Sequence, residues 1–151
     1  MAYENTGAKK IYLASPFFCE EEIERVAFME KLLREQGFDV FSPRENQFDQ
    51  YELFSKEWRE AVYLNDMKHL MEADMVVAIY DGEGEGSDQG TIFEVGAGIV
   101  AGKFVIVFTE KHDGINLMLT DSCHAFLKGR QEALDYDWKN LPTNYWHGGV
   151  R

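Results

Sequence analysis

Residues 75–108 read MVVAIYDGEGEGSDQGTIFEVGAGIVAGKFVIVF. Met75 to Tyr80 is a continuous apolar run, the pattern of a strand buried on both faces. Asp81 to Gln89 is a loop rich in glycine and acid. Thr91 to Ala101 reads as an apolar helix with Gly102 as its C-terminal stop, and Phe104 to Phe108 as a further strand. Strand, helix and strand in succession belong to a parallel sheet, and the same alternation continues in both directions along the chain.

Towards the N-terminus, Lys10 to Ala14 is a short strand broken by Ser15-Pro16-Phe17-Phe18, because proline cannot continue a central strand. Glu20 to Gln36 is a helix with acids crowding its first turn and Gly37 closing it. Phe38 to Phe41 is a strand and Ser42 to Tyr51 a loop. Ser55 caps a helix that runs to about Met71. Towards the C-terminus, Glu110 to Gly114 is a loop, Ile115 to Ser122 a short helix, Ala125 to Leu127 a fifth strand and Gln131 to Tyr136 a helical turn. The expectation is one domain over residues 1–151: an α/β, doubly wound parallel sheet of about five strands with flanking helices. Met1 to Ala8 is polar and expected to be loose. The tail, Asn144 to Arg151, carries Tyr145 and Trp146, and bulky rings so near a terminus predict docking against this subunit or another.

Charge is lopsided, with 27 Asp and Glu against 15 Lys and Arg, a net −12. A phosphate backbone is repelled by such a surface, so nucleic acid is not the expected partner and a small ligand is. Cys19 and Cys123 form no CxxC, which points to a reducing cytoplasm. The four histidines show no metal-ligand spacing, so no metal is expected. No apolar run approaches the ~20 residues that span a membrane.

In a doubly wound sheet, ligands bind beyond the carboxyl ends of the strands. That rule selects three loops: Ser15 to Phe18, Arg44 to Gln50, and Asp81 to Gln89. On the helix after Ser55, the residues Trp58, Val62, Asp66 and Leu70 are four apart and share a face. Asp66 therefore stands where an apolar residue is expected. It is either solvated at the edge of the stripe or buried in a pocket with a partner. Glu94, between Phe93 and Val95 in the first helical turn, has two readings as well. With Thr91 it fits a capping box; alternatively it is a half-buried catalytic carboxylate. Asp66, Asp88 and Glu94 can converge at one end of the sheet beside Tyr12 and Gln47. Carboxylates in a partly apolar pocket do not ionise alike, so one serves as nucleophile and another as acid. Glu94 is favoured for the anion by its helix N-terminus. This is the division of labour of glycosyl transfer with retention. Gly82, Gly84 and Gly86 superficially suggest a dinucleotide site, but the interleaved Glu83 and Glu85 repel a pyrophosphate.

Ile11 to Phe18 (IYLASPFF), Ser42 to Gln47 (SPRENQ), Asn65-Asp66, Asp88 through Gly96, and Asn116-Leu117-Met118 together resemble the nucleoside 2-deoxyribosyltransferase family, from about Lys10 to the C-terminus. The resemblance implies a flavodoxin-like sheet, a dimer or hexamer, no cofactor, and transfer of a 2-deoxyribosyl group between nucleobases. It makes Glu94 the nucleophile, Asp88 and Asp66 the acids that handle the base, and Tyr12 the residue that orients the nucleophile. Phe17 and Gln47 match base-site positions, and Ser15 and Trp146 join them as substrate-binding candidates. Asn116 matches an asparagine lent by a neighbouring subunit to the sugar's 5′-hydroxyl. Tyr145, Trp146, Gly148 and Val150 resemble a tail that reaches the active site, although this chain ends in Arg151. Phe17, Phe18 and Trp146 are candidates for a dry stacking wall, with core packing the preferred reading for Phe18. Two alternatives stand beside transfer. One is a 2-deoxynucleoside 5′-monophosphate N-glycoside hydrolase, which needs a phosphate site that the uncharged first-strand loop does not offer. The other is a non-catalytic nucleoside-binding module.

Overall fold

The computed structural model describes residues 9–82 and 87–151. The expected loose N-terminus and most of the glycine-rich loop, residues 1–8 and 83–86, lie outside them. Five strands form the main sheet: β1 (Lys10–Ala14), β2 (Asp39–Phe41), β3 (Met75–Ile79), β4 (Phe104–Thr109) and β6 (Ala125–Lys128). Their order is β2-β1-β3-β4-β6 and every pairing is parallel. This is the flavodoxin-like order, in which the first and third strands are adjacent. Ile11 sits beside Met75, and Met75 beside Phe104, so the central strands are in step. All five residues of β3 are buried, as its uninterrupted apolar run requires.

Strand parity sorts the core into two layers. Ile11, Leu13, Val77, Ile79, Ile106 and Phe108 face α1 (Glu20–Glu35), packing with its Val26, Met29 and Leu33. Tyr12, Ala14, Val76, Ala78, Val105 and Val107 face the other way, towards α2 (Lys56–Glu72) and α3 (Gln89–Val100), which contribute Leu70 and Val95. Tyr12 thereby points at the two helices that carry Asp66 and Glu94. Helix α3 lies close on the sheet at Gly98, where an added Cβ would stand 2.9 Å from Val76 Cγ2. Its end is the predicted one, with Gly102 at φ +74.

The start of α3 differs from the sequence expectation. The N-cap is Asp88, not Thr91: an Asp88 carboxylate oxygen accepts from the Thr91 backbone N–H at 3.0 Å and from the Thr91 hydroxyl at 3.3 Å. Both residues are good caps, and burial of Thr91 with its hydroxyl on Asp88 selects the earlier one. Glu94 is thus in the second turn, out of reach of the cap amide, and the capping box does not form. Helix α2 is capped by Ser55 as expected, through its hydroxyl oxygen and the Trp58 N–H.

Beyond β4 the chain forms β5 (Gly114–Ile115), the short α4 (Leu117–Thr120), then β6, α5 (Gly129–Asp135) and β7 (Gly149–Val150). The tail strand β7 pairs in parallel with β5 of the same chain. Trp146 packs on Phe126 at 4.6 Å between ring centroids. No helix among the described residues is long and apolar enough to cross a membrane.

Candidate active site

A cavity of about 320 Å³ opens beyond the carboxyl ends of β1, β2 and β3. Ser15, Phe17 and Phe18 come from the loop after β1. Pro43, Asn46 and Gln47 come from the turn after β2, and Leu53 and Phe54 from the segment before α2. Trp58, Val62 and Asp66 descend along one face of α2, and Asp88, Gly90 and Glu94 close the floor from α3. The stripe of residues four apart on α2 thus lines the cavity for three of its members, and only Leu70, fully buried, belongs to the core. Phe18 is a correction: it is 72% exposed, stacked on Phe17 at 5.3 Å and lining the cavity, not the core. The proline turn at Pro16 prevents the chain from following the sheet and leaves both rings at its rim.

At the floor, Tyr12 is wholly buried and its hydroxyl interacts with both the Glu94 and Asp66 carboxyls. The hydroxyl, Asp66 Oδ1 and Glu94 Oε2 are all buried, and none has a partner in good hydrogen-bond geometry. The three groups are near one another without being aligned as hydrogen-bond partners. Burial raises the Asp66 pKa from 3.8 to about 7, against the opposing pull of the Tyr12 hydroxyl. Burial likewise lifts Glu94 from 4.5 to about 8. Tyr12 again opposes the shift, and the negative charges of Asp66 and Asp88 add to it. Tyr12 itself is pushed far above the usual phenol range, first by burial and then by Glu94 and Asp66, so it remains a donor. Asp66 and Glu94 are coupled through their charges and through Tyr12, so their titration belongs to the pair. Desolvation thus works against the helix N-terminus that the sequence reading has favouring the Glu94 anion, and Glu94 stands a full turn from that end.

Two sequence candidates stand elsewhere. Asn116 is exposed and caps α4, its Oδ1 accepting from the Met118 N–H at 2.9 Å. Trp146 donates its indole N–H to the Gly149 carbonyl and leans on Phe126. Neither lines this chain's own cavity. Among the described residues, no group of three or more His, Cys, Asp or Glu is arranged to hold a metal ion.

Residues 11–138 match the model of the family described as nucleoside 2-deoxyribosyltransferase. The chain belongs to that family. The transferase is 44% identical to the 2-deoxyribosyltransferase of the psychrotolerant bacterium Bacillus psychrosaccharolyticus, with a TM-score of 0.83 over 91% of this chain and 98% of that one. That enzyme is described as a biocatalyst for the synthesis of antiviral and antitumoral nucleosides. A conserved protein from Enterococcus faecalis V583 (19% identity, TM-score 0.59, 96% of this chain and 82% of that one) shares the fold. So does the CMP N-glycosidase BcmB of Clostridium botulinum (18%, 0.56, 83% and 92%). No curated protein matches the chain.

Several cavity residues of the transferase were not singled out by sequence reasoning. Trp58 and Val62 were visible only as the apolar stripe that carries Asp66. Leu53 and Phe54 carried no signal, since a loop aromatic has no periodicity to betray it. Phe54 adopts φ +65, a conformation disfavoured for a bulky residue, and meets Trp58 edge-on at 5.4 Å.

Proposed function

We propose that this protein moves a 2-deoxyribosyl group from one nucleobase to another through a covalent intermediate on Glu94, with retained configuration. The observation that carries this reading is the convergence of Asp66, Asp88 and Glu94 on one cavity, with the buried Tyr12 beneath Asp66 and Glu94. In the first half-reaction the Glu94 carboxylate forms a bond to the anomeric carbon as the N-glycosidic bond breaks. The departing base takes the proton that the carboxyl cluster holds. An incoming protonated base then returns its proton to the cluster as its nitrogen displaces Glu94. Each half-reaction balances with one proton on the cluster, which suits carboxyls titrating between about 7 and 8. Tyr12 donates to Glu94 and keeps its oxygen aimed; Asp66 and Asp88 handle the base and its proton.

The apolar walls, with Phe17, Phe18, Phe54 and Trp58, suit a flat base, and a base stacked there shields the floor from water, which favours transfer over hydrolysis. None of the described residues lining this cavity is cationic; nearby Arg44 and Arg34 are engaged by Glu30 and Glu45. That supports a free nucleoside over a nucleoside monophosphate as substrate. Asn116 and the tail act, on this reading, in a neighbouring copy's site within a homo-oligomer. Two free cysteines support a reducing cytoplasm, where base exchange serves nucleotide salvage.

The test is incubation with thymidine or deoxyinosine and free adenine, following deoxyadenosine by chromatography, beside a ribonucleoside control and Glu94→Ala. Deoxyadenosine from the deoxy donors alone, absent with the variant, is the expected result. Base release from a deoxynucleotide without transfer would replace this reading by hydrolysis. Transfer that survives Glu94→Ala would remove Glu94 from the nucleophile's role.

A further inference from the structure

The Tyr12 side chain is wholly buried, yet its hydroxyl, Asp66 Oδ1 and Glu94 Oε2 have no partner in good hydrogen-bond geometry. Where the hydroxyl points is therefore set by the packing of the ring that carries it. That ring is stacked on Phe41, its partner in the β1–β2 register, with centroids 5.6 Å apart and planes at 27°. β2 is an edge strand of the sheet, so Phe41 has a strand neighbour on one side only. A cavity of about 230 Å³ opens there, lined by Asp39, Phe41, His69 and Glu72 among others. The support that Phe41 does have comes from α2: the His69 imidazole lies on its ring at 3.8 Å and 10°. His69 is itself fixed. Its Nδ1 meets the Asn65 carbonyl at 2.8 Å, and because a carbonyl only accepts, Nδ1 carries the hydrogen. That bond sets the plane of the imidazole and roots it in the turn of α2 that bears Asp66.

We infer that His69, acting through Phe41, is a positioning residue for Tyr12: the run of three stacked rings holds the Tyr12 hydroxyl at Asp66 and Glu94. The inference rests on the deoxyribosyl-transfer reading for its effect on rate, and adds to that reading a residue that lines no part of the base cavity. Aromatic rings are rigid, so a tilt at one end of the run is passed to the next ring and displaces the hydroxyl at the tip of Tyr12. A misplacement of about 1 Å at a reacting group can cost about 10²-fold in rate. The displacement also has a signature besides rate. The Tyr12 hydroxyl opposes the rise in pKa of both Asp66 and Glu94, so moving it away carries the titration of the pair to higher pH.

The test compares His69→Leu, which fills the space without a flat ring, with His69→Phe, which keeps the stack and loses only the N–H. Initial rates of transfer from deoxyinosine to adenine are expected to show kcat down by about tenfold or more in His69→Leu with KM within about twofold, and His69→Phe within about threefold of the wild type. On a Tyr12→Phe background, which has no hydroxyl to place, His69→Leu is expected to cost nothing further. Carbon-13 NMR titration of the Asp66 and Glu94 carboxyls reads the same effect without turnover: the pair is expected to titrate at higher pH in His69→Leu, as in Tyr12→Phe, and as in the wild type in His69→Phe. A titration unmoved by His69→Leu, an equal loss of rate on the Tyr12→Phe background, or a His69→Phe protein as slow as His69→Leu overturns the inference and leaves transfer intact. Absence of transfer in the wild type, with the titration still moved by His69→Leu, overturns the transfer reading instead.

Discussion

Replacing Glu94 by Gln is expected to stabilise this protein while destroying its activity, and the size of the effect follows from burial. Desolvation first, with the charges of Asp66 and Asp88 adding to it, lifts the Glu94 carboxyl from 4.5 to about 8 in the folded state. Between those values the native state holds a proton that the unfolded chain has released. Stability therefore falls as pH rises through the window and levels off above about 8. At about 1.4 kcal/mol per pH unit, the penalty at pH 7 is about 3 kcal/mol, against under about 1 kcal/mol at pH 5. Gln is uncharged at every pH and nearly the same shape. For a chain of this size, the variant is expected to melt about 5–10 °C above the wild type at pH 7 and within about 3 °C at pH 5. Asp66 is coupled to Glu94, so the difference between the two curves reports the pair. The assay is thermal and urea unfolding of both proteins from pH 5 to 9. A melting difference that does not grow between pH 5 and 8 would mean that Glu94 ionises as a solvated carboxylate, and the coupled-pair account of the site would fall with it.

Tyr12→Phe removes the donor that opposes the Glu94 shift; the limb of the kcat/KM profile that reports Glu94 ionisation is expected to move to higher pH, with the rate at pH 7 down by roughly 10²-fold. An unchanged pH–rate profile would detach Tyr12 from the chemistry. Asp88→Asn retains a capping oxygen for the Thr91 N–H and is expected to keep its stability but lose transfer, whereas Asp88→Ala loses about 1 kcal/mol as well; unfolding curves and initial rates on the same two proteins separate cap from acid. Gly98→Ala forces a Cβ to 2.9 Å from Val76 Cγ2, and α3 must lift from the sheet at a cost of about 1–3 kcal/mol, measured by denaturant midpoint. Because α3 carries Asp88 and Glu94, the same variant is expected to lose activity out of proportion to its folded fraction.

Much of the fold is written locally. Every main strand was visible as a short apolar run and every long helix as a periodic one, because burial on one or both faces imposes its own spacing on the residues. Boundaries moved by a residue or two, as in β4, which extends to Thr109. The start of α3 was ambiguous because Asp88 and Thr91 are both competent caps within one turn. Phe18 was misread because a phenylalanine next to a core strand has the composition of core whichever way it points. Phe54 was invisible because its place in the cavity depends on a left-handed backbone conformation that no pattern of residue types announces.

The sequence by itself determined the order of strands and helices, the acidic surface, and which residue types were available for chemistry, since each follows from local spacing or simple composition. It did not determine which face of β1 Tyr12 occupies: a strand buried on both sides has no polar side to orient it. Only the tertiary structure, by laying α2 and α3 over the even-numbered residues of β1, set Tyr12 against Asp66 and Glu94. The raised pKa values belong to the same level. A carboxyl is ordinary in the chain and becomes a proton store when packing takes the water away from it.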